Sequence, residues 1–340
     1  MLYNFCVEKH KNLCYNDARQ KKLWRNYMNK NIYRFRIAVN CADFYLGYSN
    51  DVQDREQIYD DFGMIALPDS YCETGKGTRL VINCHGAGGT VTTDDSQVEQ
   101  QTLTKYLLAN GYAVMDVNGL PNDFSKIKGI DIKNNIGSPV AVQSYVKAYH
   151  YCMDHFNLKR EVFIHGGSMG GISSTNVVLS NCIPIIAQSG FCPVLDTYNQ
   201  IFLHPWSNGL PKTALGEFYH FERDARGDYI YEEDKVAGFN PMGRLLRIGE
   251  KEVLSYPVPV KFWQCEDDET VEIDSTKRFV VAIRNAGGIA YLRTFSSGGH
   301  EPQLCGDFLK NPSGNIVLGE EKIQITPAVE EVFLWIKRFD

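Results

Sequence analysis

A serine flanked by glycines is the strongest chemical signal in the sequence. Ser168 is the centre of a Gly-x-Ser-x-Gly motif at 166–170, which directly follows a short apolar run and directly precedes an amphipathic segment. A serine hydroxyl is a weak nucleophile, so it must stand on a tight turn between a strand and a helix, where a base can reach it. Small neighbours permit that turn. We therefore predict that Ser168 is a catalytic nucleophile; the alternative is a glycine-rich turn that only packs a helix onto a sheet.

A second glycine-rich motif, His-Gly-Ala-Gly-Gly at 85–89, follows an earlier apolar run. In acyl transfer, negative charge develops on the carbonyl oxygen, and two fixed backbone N–H groups can stabilise it. We predict that the loop supplies one donor, from Ala87 or else Gly88, and that Met169 supplies the other. His85 precedes the turn, so we expect it to orient the loop by a hydrogen bond rather than to act as a base. An ordinary glycine turn is the alternative.

The base is expected in the loop after the last predicted strand, which can carry an imidazole over the carboxyl edge of the sheet. His300 occupies that place, within the motif Ser-Gly-Gly-His-Glu at 297–301. The other seven histidines are at positions 10, 85, 150, 155, 165, 204 and 220. Several of these fall in a predicted strand, a predicted helix or the long insertion described below, so we choose His300.

Four consecutive carboxylates compete for the role of the acid that holds the imidazole in its productive tautomer. They follow a predicted strand and are Glu266, Asp267, Asp268 and Glu269. We favour Asp268 because it stands three residues before Val271, as in the common Gly-x-x-Asp-x-x-Val arrangement. Cys265 replaces the glycine here. Asp267 is the next candidate, and for the carboxylates not chosen a solvated acidic turn is the alternative.

Short apolar runs alternate with longer amphipathic segments from residue 59 to the C-terminus. That order predicts a mostly parallel sheet flanked by helices. The predicted strands are 62–67, 79–84, 112–117, 161–165, 183–188, 258–265 and, as the last strand, 290–294. The predicted helices are 97–110, 138–156, 172–179, 275–286 and 326–338.

Two stretches fall outside this alternation. Residues 1–58 are weakly patterned, and we interpret them as an N-terminal extension of a catalytic domain at 59–340. Residues 190–256 contain no clear strand and are rich in aromatic residues. Because long loops in compact domains are usually functional, we interpret this insertion as a cap over the active site, in which Trp206 and Tyr219 bind substrate. A packing or oligomer surface is the alternative.

Composition and charge argue against several classes of protein. Apolar residues make up 44% and charged residues 22%, which suffices for a sizeable core. A formal charge of −6 without long like-charge runs argues against a nucleic-acid partner. The basic stretch at 9–30 is interpreted as a solvated helix face or a partner contact. The chain lacks an apolar run of membrane-spanning or signal-peptide length, so we expect no membrane association.

The ten cysteines include no Cys-x-x-Cys pair, which argues against a structural zinc site. Their scattered positions favour reduced thiols and a cytoplasmic protein. The glycine-rich loops also lack the signatures of nucleotide and dinucleotide sites. We therefore expect neither a metal nor a cofactor.

At these motifs the chain resembles the α/β-hydrolase superfamily over roughly 59–340, with nucleophile, acid and histidine in the order 168, 268 and 300. The resemblance implies an α/β-hydrolase fold and cleavage through an acyl-enzyme. Residues 59–68, leading into the His-Gly-x-Gly-Gly loop, are similar to feruloyl and acetyl-xylan esterases and to the catalytic domains of prolyl oligopeptidase-type peptidases.

Those peptidases usually carry a further domain ahead of the catalytic one, for which 58 residues are too few. We therefore expect a serine esterase that acts on small-molecule esters or on acyl groups of carbohydrates. A prolyl oligopeptidase-like peptidase is the alternative. A binding protein that keeps the fold without turnover is a third hypothesis, which the complete Ser-Asp-His set disfavours.

Overall fold

The computed structural model describes residues 31–40, 58–92, 98–203, 210–251, 256–306, 315–318 and 321–340. Within these ranges, the main sheet has eight strands. They are β1 (Ile32–Asn40), β2 (Ile58–Ala66), β3 (Leu80–Cys84), β4 (Ala113–Val117), β5 (Val162–Gly167), β6 (Ile185–Phe191), β7 (Val260–Cys265) and β8 (Ala290–Phe295).

The strand order is β1-β2-β4-β3-β5-β6-β7-β8. The first two strands pair antiparallel, β2 also pairs antiparallel with β4, and every pair from β4 to β8 is parallel. The predicted mostly parallel sheet is therefore confirmed. Because parallel strands end at the same edge, the loops after β3, β5, β7 and β8 meet there. These are the loops that contain the predicted site residues.

The helices connect and cover these strands. They are α1 (Thr102–Ala109), α2 (Asn122–Lys128), α3 (Pro139–His155), α4 (Gly170–Ser180), α5 (Leu210–Tyr219), α6 (Glu233–Val236), α7 (Pro241–Lys251), α8 (Ile273–Asn285) and α9 (Pro327–Lys337). A π-helix at Tyr198–Leu203 follows β6, and short 3₁₀ turns occur at Val98–Gln100 and Pro302–Leu304.

Helices pack on both faces of the sheet because side chains alternate along each strand. Leu80 and Ile82 belong to one apolar cluster, which includes residues of α3, α4 and α8. Val81, between them, belongs to the other cluster, which includes residues of α1 and α9. The central strand β3 is thus buried on both faces.

Two helix starts follow their predicted capping signals. The Ser138 hydroxyl accepts a hydrogen bond from the Ala141 backbone N–H (3.3 Å) at the start of α3. Thr326 does the same for Val329 (3.2 Å) at the start of α9. A proline occupies the first turn of each helix, where its missing N–H has no intrahelical partner to lose.

Helix α2 and a hairpin near the C-terminus are among the elements that were not predicted. Helix α2 is only seven residues long, too short for its apolar period to stand out, although its αL cap at Gly129 is a recognisable end signal. A hairpin of β9 (Asn315–Leu318) and β10 (Glu321–Gln324) follows β8, so the prediction that 290–294 is the last strand of the chain was wrong. Each strand of the hairpin has four residues, which leaves little alternation to detect.

Strand β1 lies within the 1–58 segment that the sequence assigned to an extension. Its pairing with β2 runs from Ile32 opposite Ala66 to Asn40 opposite Ile58. The Phe35 ring stacks on that of Tyr151 in α3, with 4.2 Å between the centroids. This part of the segment is therefore the edge of the main sheet, and residues 1–30 and 41–57 lie outside the described ranges.

Cysteine pairing differs from expectation at one position. Cys182 is disulfide-bonded, so the prediction of reduced thiols is wrong for this residue. Cys182 belongs to no Cys-x-x-Cys pair, so local spacing does not predict its bond. The free thiols of the described residues are Cys72, Cys84, Cys152, Cys192, Cys265 and Cys305. Among the helices of the described ranges, none has the length and apolarity needed to cross a membrane.

Candidate active site

Ser168 stands on a tight turn between β5, which ends at Gly167, and α4, which begins at Gly170. Its φ of 52° lies in the left-handed region that non-glycine residues rarely adopt. Backbone hydrogen bonds hold it there: its N–H donates to the Phe191 carbonyl (3.0 Å), and its own carbonyl accepts from Val194 (2.9 Å). The turn therefore presents the hydroxyl at the carboxyl edge of the sheet.

The glycines of the motif differ in how much space is available for a side chain. A Cβ at Gly166 would overlap the Gly170 carbonyl oxygen, and a Cβ at Gly170 would overlap the carbonyl oxygen of Cys84. At Gly167, by contrast, the nearest atom to an added Cβ is 3.9 Å away. Close approach of backbones thus requires glycine at 166 and 170, the two positions that the Gly-x-Ser-x-Gly motif specifies.

The structure brings the three predicted catalytic residues together. Nε2 of His300 lies 3.0 Å from Oγ of Ser168, and its Nδ1 lies 3.0 Å from Oδ2 of Asp268. The Asp268 side chain is fully buried, while the His300 side chain is 26% exposed. A carboxylate facing Nδ1 favours the tautomer with a proton on that nitrogen, which leaves the Nε2 lone pair directed at the serine hydroxyl.

The competing carboxylates have different surroundings. Oδ1 of Asp268 accepts backbone hydrogen bonds from Thr270 (2.9 Å) and Val271 (3.0 Å), which fix its loop. Asp267 instead accepts from the backbone N–H groups of Gly298 (3.2 Å) and Gly299 (2.8 Å) in the histidine loop. These bonds, that of Gly299 above all, lower the pKa of Asp267. The two neighbouring glutamates, at 266 and 269, are exposed.

The predicted oxyanion donors lie beside the serine. Ala87, Met169 and Ser168 line one pocket. The Gly88 N–H donates to the Lys133 carbonyl (3.3 Å), which makes Gly88 the weaker candidate. Within the described part of the chain, neither the Ala87 nor the Met169 N–H has an acceptor. Both are therefore available to a ligand oxygen.

A buried polar network contacts the loop at 85–89, which contains the predicted donor Ala87. Nδ1 of His85 lies 3.2 Å from Oδ1 of Asp116, which also accepts from the hydroxyl of Tyr145 (2.8 Å). The other oxygen of Asp116 accepts from Nδ2 of Asn83 (2.7 Å). The arrangement agrees with the expectation that His85 orients the loop. Sequence reasoning missed Asp116, because nothing in its own strand marks it as a partner of a residue 31 positions away.

The pocket beside Ser168 is mainly apolar. Its other lining residues are Asn134, Ile136, Ile172, Val194, Gln200 and Ile201. Tyr219 is not one of them: it is 6% exposed and belongs to the larger apolar cluster, so its predicted contact with substrate remains a prediction. Trp206 lies outside the described residues. Gln200 and Asn134 carry no motif, and only the fold brings them to the serine.

A buried thiol also faces the imidazole. Sγ of Cys192 lies 3.8 Å from Nε2 of His300, and Cys192, Asp268 and His300 are the one trio in the described ranges whose donor atoms are close enough to share a metal ion. The ring nitrogens of His300, however, already face Ser168 and Asp268. Burial raises the pKa of Cys192 well above its ordinary value, so the thiol stays protonated at neutral pH. Of these two side chains, only the Ser168 hydroxyl lies within 3.0 Å of the imidazole nitrogen.

No protein-family model matches this chain, and no curated protein does. Several solved structures are similar to it. A puromycin hydrolase matches with a TM-score of 0.55 at 16% identity, over 79% of this chain and 36% of that one. An acylaminoacyl peptidase from Pyrococcus horikoshii matches with a TM-score of 0.55 at 13% identity, over 96% of this chain and 43% of that one.

A puromycin-hydrolyzing peptidase from Mycobacterium tuberculosis is also similar, with a TM-score of 0.54 at 17% identity, over 71% of this chain and 34% of that one. The present chain thus spans less than half the length of each of these three proteins. At such identities the likeness establishes the fold, which is the α/β-hydrolase fold that the sequence predicted.

Proposed function

We propose that this chain is a serine hydrolase that cleaves amide bonds of short peptides or acylated amino acids through an acyl-enzyme. The observation that carries the proposal is the hydrogen-bonded line from Ser168 through His300 to Asp268, with distances of 3.0 Å at each step. Such a line presents a hydroxyl to a base whose tautomer is fixed by a buried carboxylate.

The reaction follows from these contacts. As Oγ of Ser168 bonds to the substrate carbonyl carbon, its proton passes to Nε2 of His300, and the new oxyanion accepts hydrogen bonds from the N–H groups of Ala87 and Met169. The imidazolium then gives its proton to the leaving nitrogen, and the C–N bond breaks. Water repeats the sequence at the acyl-enzyme, with Nε2 taking its proton and returning it to Oγ. Ser168 is regenerated and the acid is released.

The choice of amide over ester rests on the structural neighbours. The sequence favoured esters, with a peptidase as the alternative, and the similar solved structures named above are peptidases or a puromycin hydrolase. These names support the alternative. Esters remain useful probes, because the same acyl-enzyme forms from them. The proposed arrangement keeps 59–340 as the catalytic domain, joined by β1, and 190–256 as its cap.

The test combines active-site labelling with a substrate panel. We expect a fluorophosphonate probe to label the protein. Ser168→Ala should keep the wild-type circular-dichroism spectrum and abolish both labelling and turnover. Aminoacyl and N-acyl-aminoacyl anilides would be compared with acetyl, butyryl and feruloyl esters. Labelling with anilide cleavage supports the proposal, and labelling with ester cleavage alone would restore the esterase prediction. An unlabelled protein would indicate a binding protein with this fold.

A further inference from the structure

One buried amide oxygen in the candidate site has no donor. In the described ranges, four buried side-chain oxygens lack a hydrogen-bond partner: Oε2 of Glu99, Oγ of Ser144, Oδ1 of Asn176 and Oε1 of Gln200. Of these residues, Gln200 alone lines the pocket that contains Ser168. Buried acceptors are nearly always paired in native proteins, with protein groups or ordered water, so an unpaired one beside the candidate nucleophile needs a partner from outside the described residues.

The contacts of Gln200 determine which way its amide faces. Its Nε2 donates to the Thr270 carbonyl oxygen (2.7 Å), and a carbonyl cannot donate, so the NH₂ group must be on that side. The residue is 1% exposed and lies in the π-helix after β6, an irregular helix type that often occurs at functional sites. The side chain is therefore held, and Oε1 is the group left without a partner.

Geometry also decides which part of a substrate would meet Oε1. The proposed oxyanion donors Ala87 and Met169 line the same pocket as Gln200, so a carbonyl bound by them would lie beside that pocket. The group that enters the pocket is then the substituent on the acyl side of the scissile bond. It would share the pocket with Ile136, Ile172 and other apolar side chains as well as with Gln200, whose Oε1 is buried until a ligand moves the side chain.

We infer that Gln200 is a specificity-determining residue whose Oε1 accepts a hydrogen bond from an O–H or N–H group on an otherwise apolar acyl-side chain. The inference rests on the proposed function. It predicts that the enzyme prefers acyl residues with a buried donor over isosteric residues without one. Sites that hydrogen-bond a substrate group reject the analogue that lacks it, because the protein partner is then left unpaired.

The test compares isosteric acyl residues in one enzyme. N-acyl anilides of threonine and valine, and of tyrosine and phenylalanine, would be ranked by kcat/KM. We expect a preference of roughly tenfold or more for the donor-bearing member of the pair that fits the pocket. In Gln200→Met, which keeps the length of the side chain, the ratio should fall to about one. A preference below about twofold in both pairs, or one that survives Gln200→Met, would overturn the inference.

The ratio of kcat/KM within a substrate pair distinguishes a loss of substrate recognition from damage to the catalytic residues. Gln200→Met also removes the bond to Thr270, whose N–H donates to Asp268, but a disturbed acid loop slows both members of a pair alike. Asn199→Ala is the matched control. Asn199 lies in the same π-helix and its Nδ2 donates to Glu272 (3.0 Å), yet it does not line the pocket, so its ratio should equal that of the wild type.

Fluorophosphonate labelling of each protein precedes the kinetics. A wild-type protein that is not labelled would count against the proposed function itself, and the inference would fall with it. A labelled protein without a donor preference would count against Gln200 alone. The wild-type ratio alone tests whether the enzyme prefers acyl residues with a donor. That test does not require Gln200→Met to fold.

Discussion

Nδ1 of His300 lies 3.0 Å from Oδ2 of Asp268, across two loops that leave the neighbouring parallel strands β7 and β8. The adjacent carboxylate, Asp267, contacts the histidine loop instead, through the backbone N–H groups of Gly298 and Gly299. Asp268 thus contacts the imidazole, and Asp267 contacts the loop that carries it. This division of roles is expected to show in kinetics.

Asp268→Asn should lower kcat by about 10³- to 10⁴-fold, because an amide NH₂ facing the ring favours the wrong tautomer. Asp267→Asn keeps one acceptor oxygen for the histidine loop, so we expect a loss of about tenfold or less in kcat, accompanied by a lower melting temperature. Both variants would be measured on the same anilide and labelled with the same probe. If Asp267→Asn proved the more damaging, the role of acid would pass to Asp267.

A second pair of variants tests the packing of the turn that carries Ser168. Gly166→Ala places a methyl group against the Gly170 carbonyl, so we expect little folded protein or a loss of several kcal/mol in the free energy of unfolding. Gly167→Ala has 3.9 Å to the nearest atom and should fold with nearly wild-type stability. Denaturant unfolding of the two variants checks this. Equal stabilities would contradict the packing described for the turn.

Short motifs in the sequence were enough to select three residues that the structure brings together. Ser168, Asp268 and His300 each follow a strand whose apolar run is visible, and parallel strands bring such loops to one edge. Gln200 and Asp116 were missed for a different reason. Each depends on a partner distant in sequence, Thr270 for the first and His85 for the second, and no local pattern encodes those contacts.

The aromatic insertion shows the same limit. Composition and position along the chain predicted rings over the active site, but neither can tell which face of a helix each ring occupies. Tyr219, at the end of α5, is almost fully buried. Its ring centroid lies 6.2 Å from that of Phe221 and 6.3 Å from that of Phe239. Its surroundings therefore favour packing of the insertion.

Tyr219→Ala should lower the free energy of unfolding by about 3 kcal/mol, as expected for removal of a buried ring. The ranking of anilide substrates should stay unchanged. Tyr198 is the control in the same insertion: it is 41% exposed, so Tyr198→Ala should cost less stability. A changed substrate ranking for Tyr219→Ala at unchanged stability would instead support the predicted role in substrate binding.

The last prediction concerns a buried carboxyl group in β2. The Asp61 side chain is fully buried, and its oxygens accept backbone hydrogen bonds from Phe62 (2.8 Å) and Gly119 (3.0 Å). Burial disfavours the charged form and raises the pKa of Asp61 from 3.8 to about 6, although the hydrogen bonds oppose the shift. The folded protein therefore binds this proton more tightly than the unfolded chain does.

The sign of the pH dependence follows from that difference. The stabilising contribution is fully present below pH 3.8, is lost as the pH rises through about 6, and stays lost above it. A rise in pKa from 3.8 to about 6 corresponds to about 3 kcal/mol. Asp61→Asn cannot ionise, so its free energy of unfolding, relative to that of the wild type, should increase by about this amount between pH 4 and pH 7. Urea unfolding at intervals across that range measures the difference, and parallel curves for the two proteins would show that Asp61 is ionised in the folded state throughout.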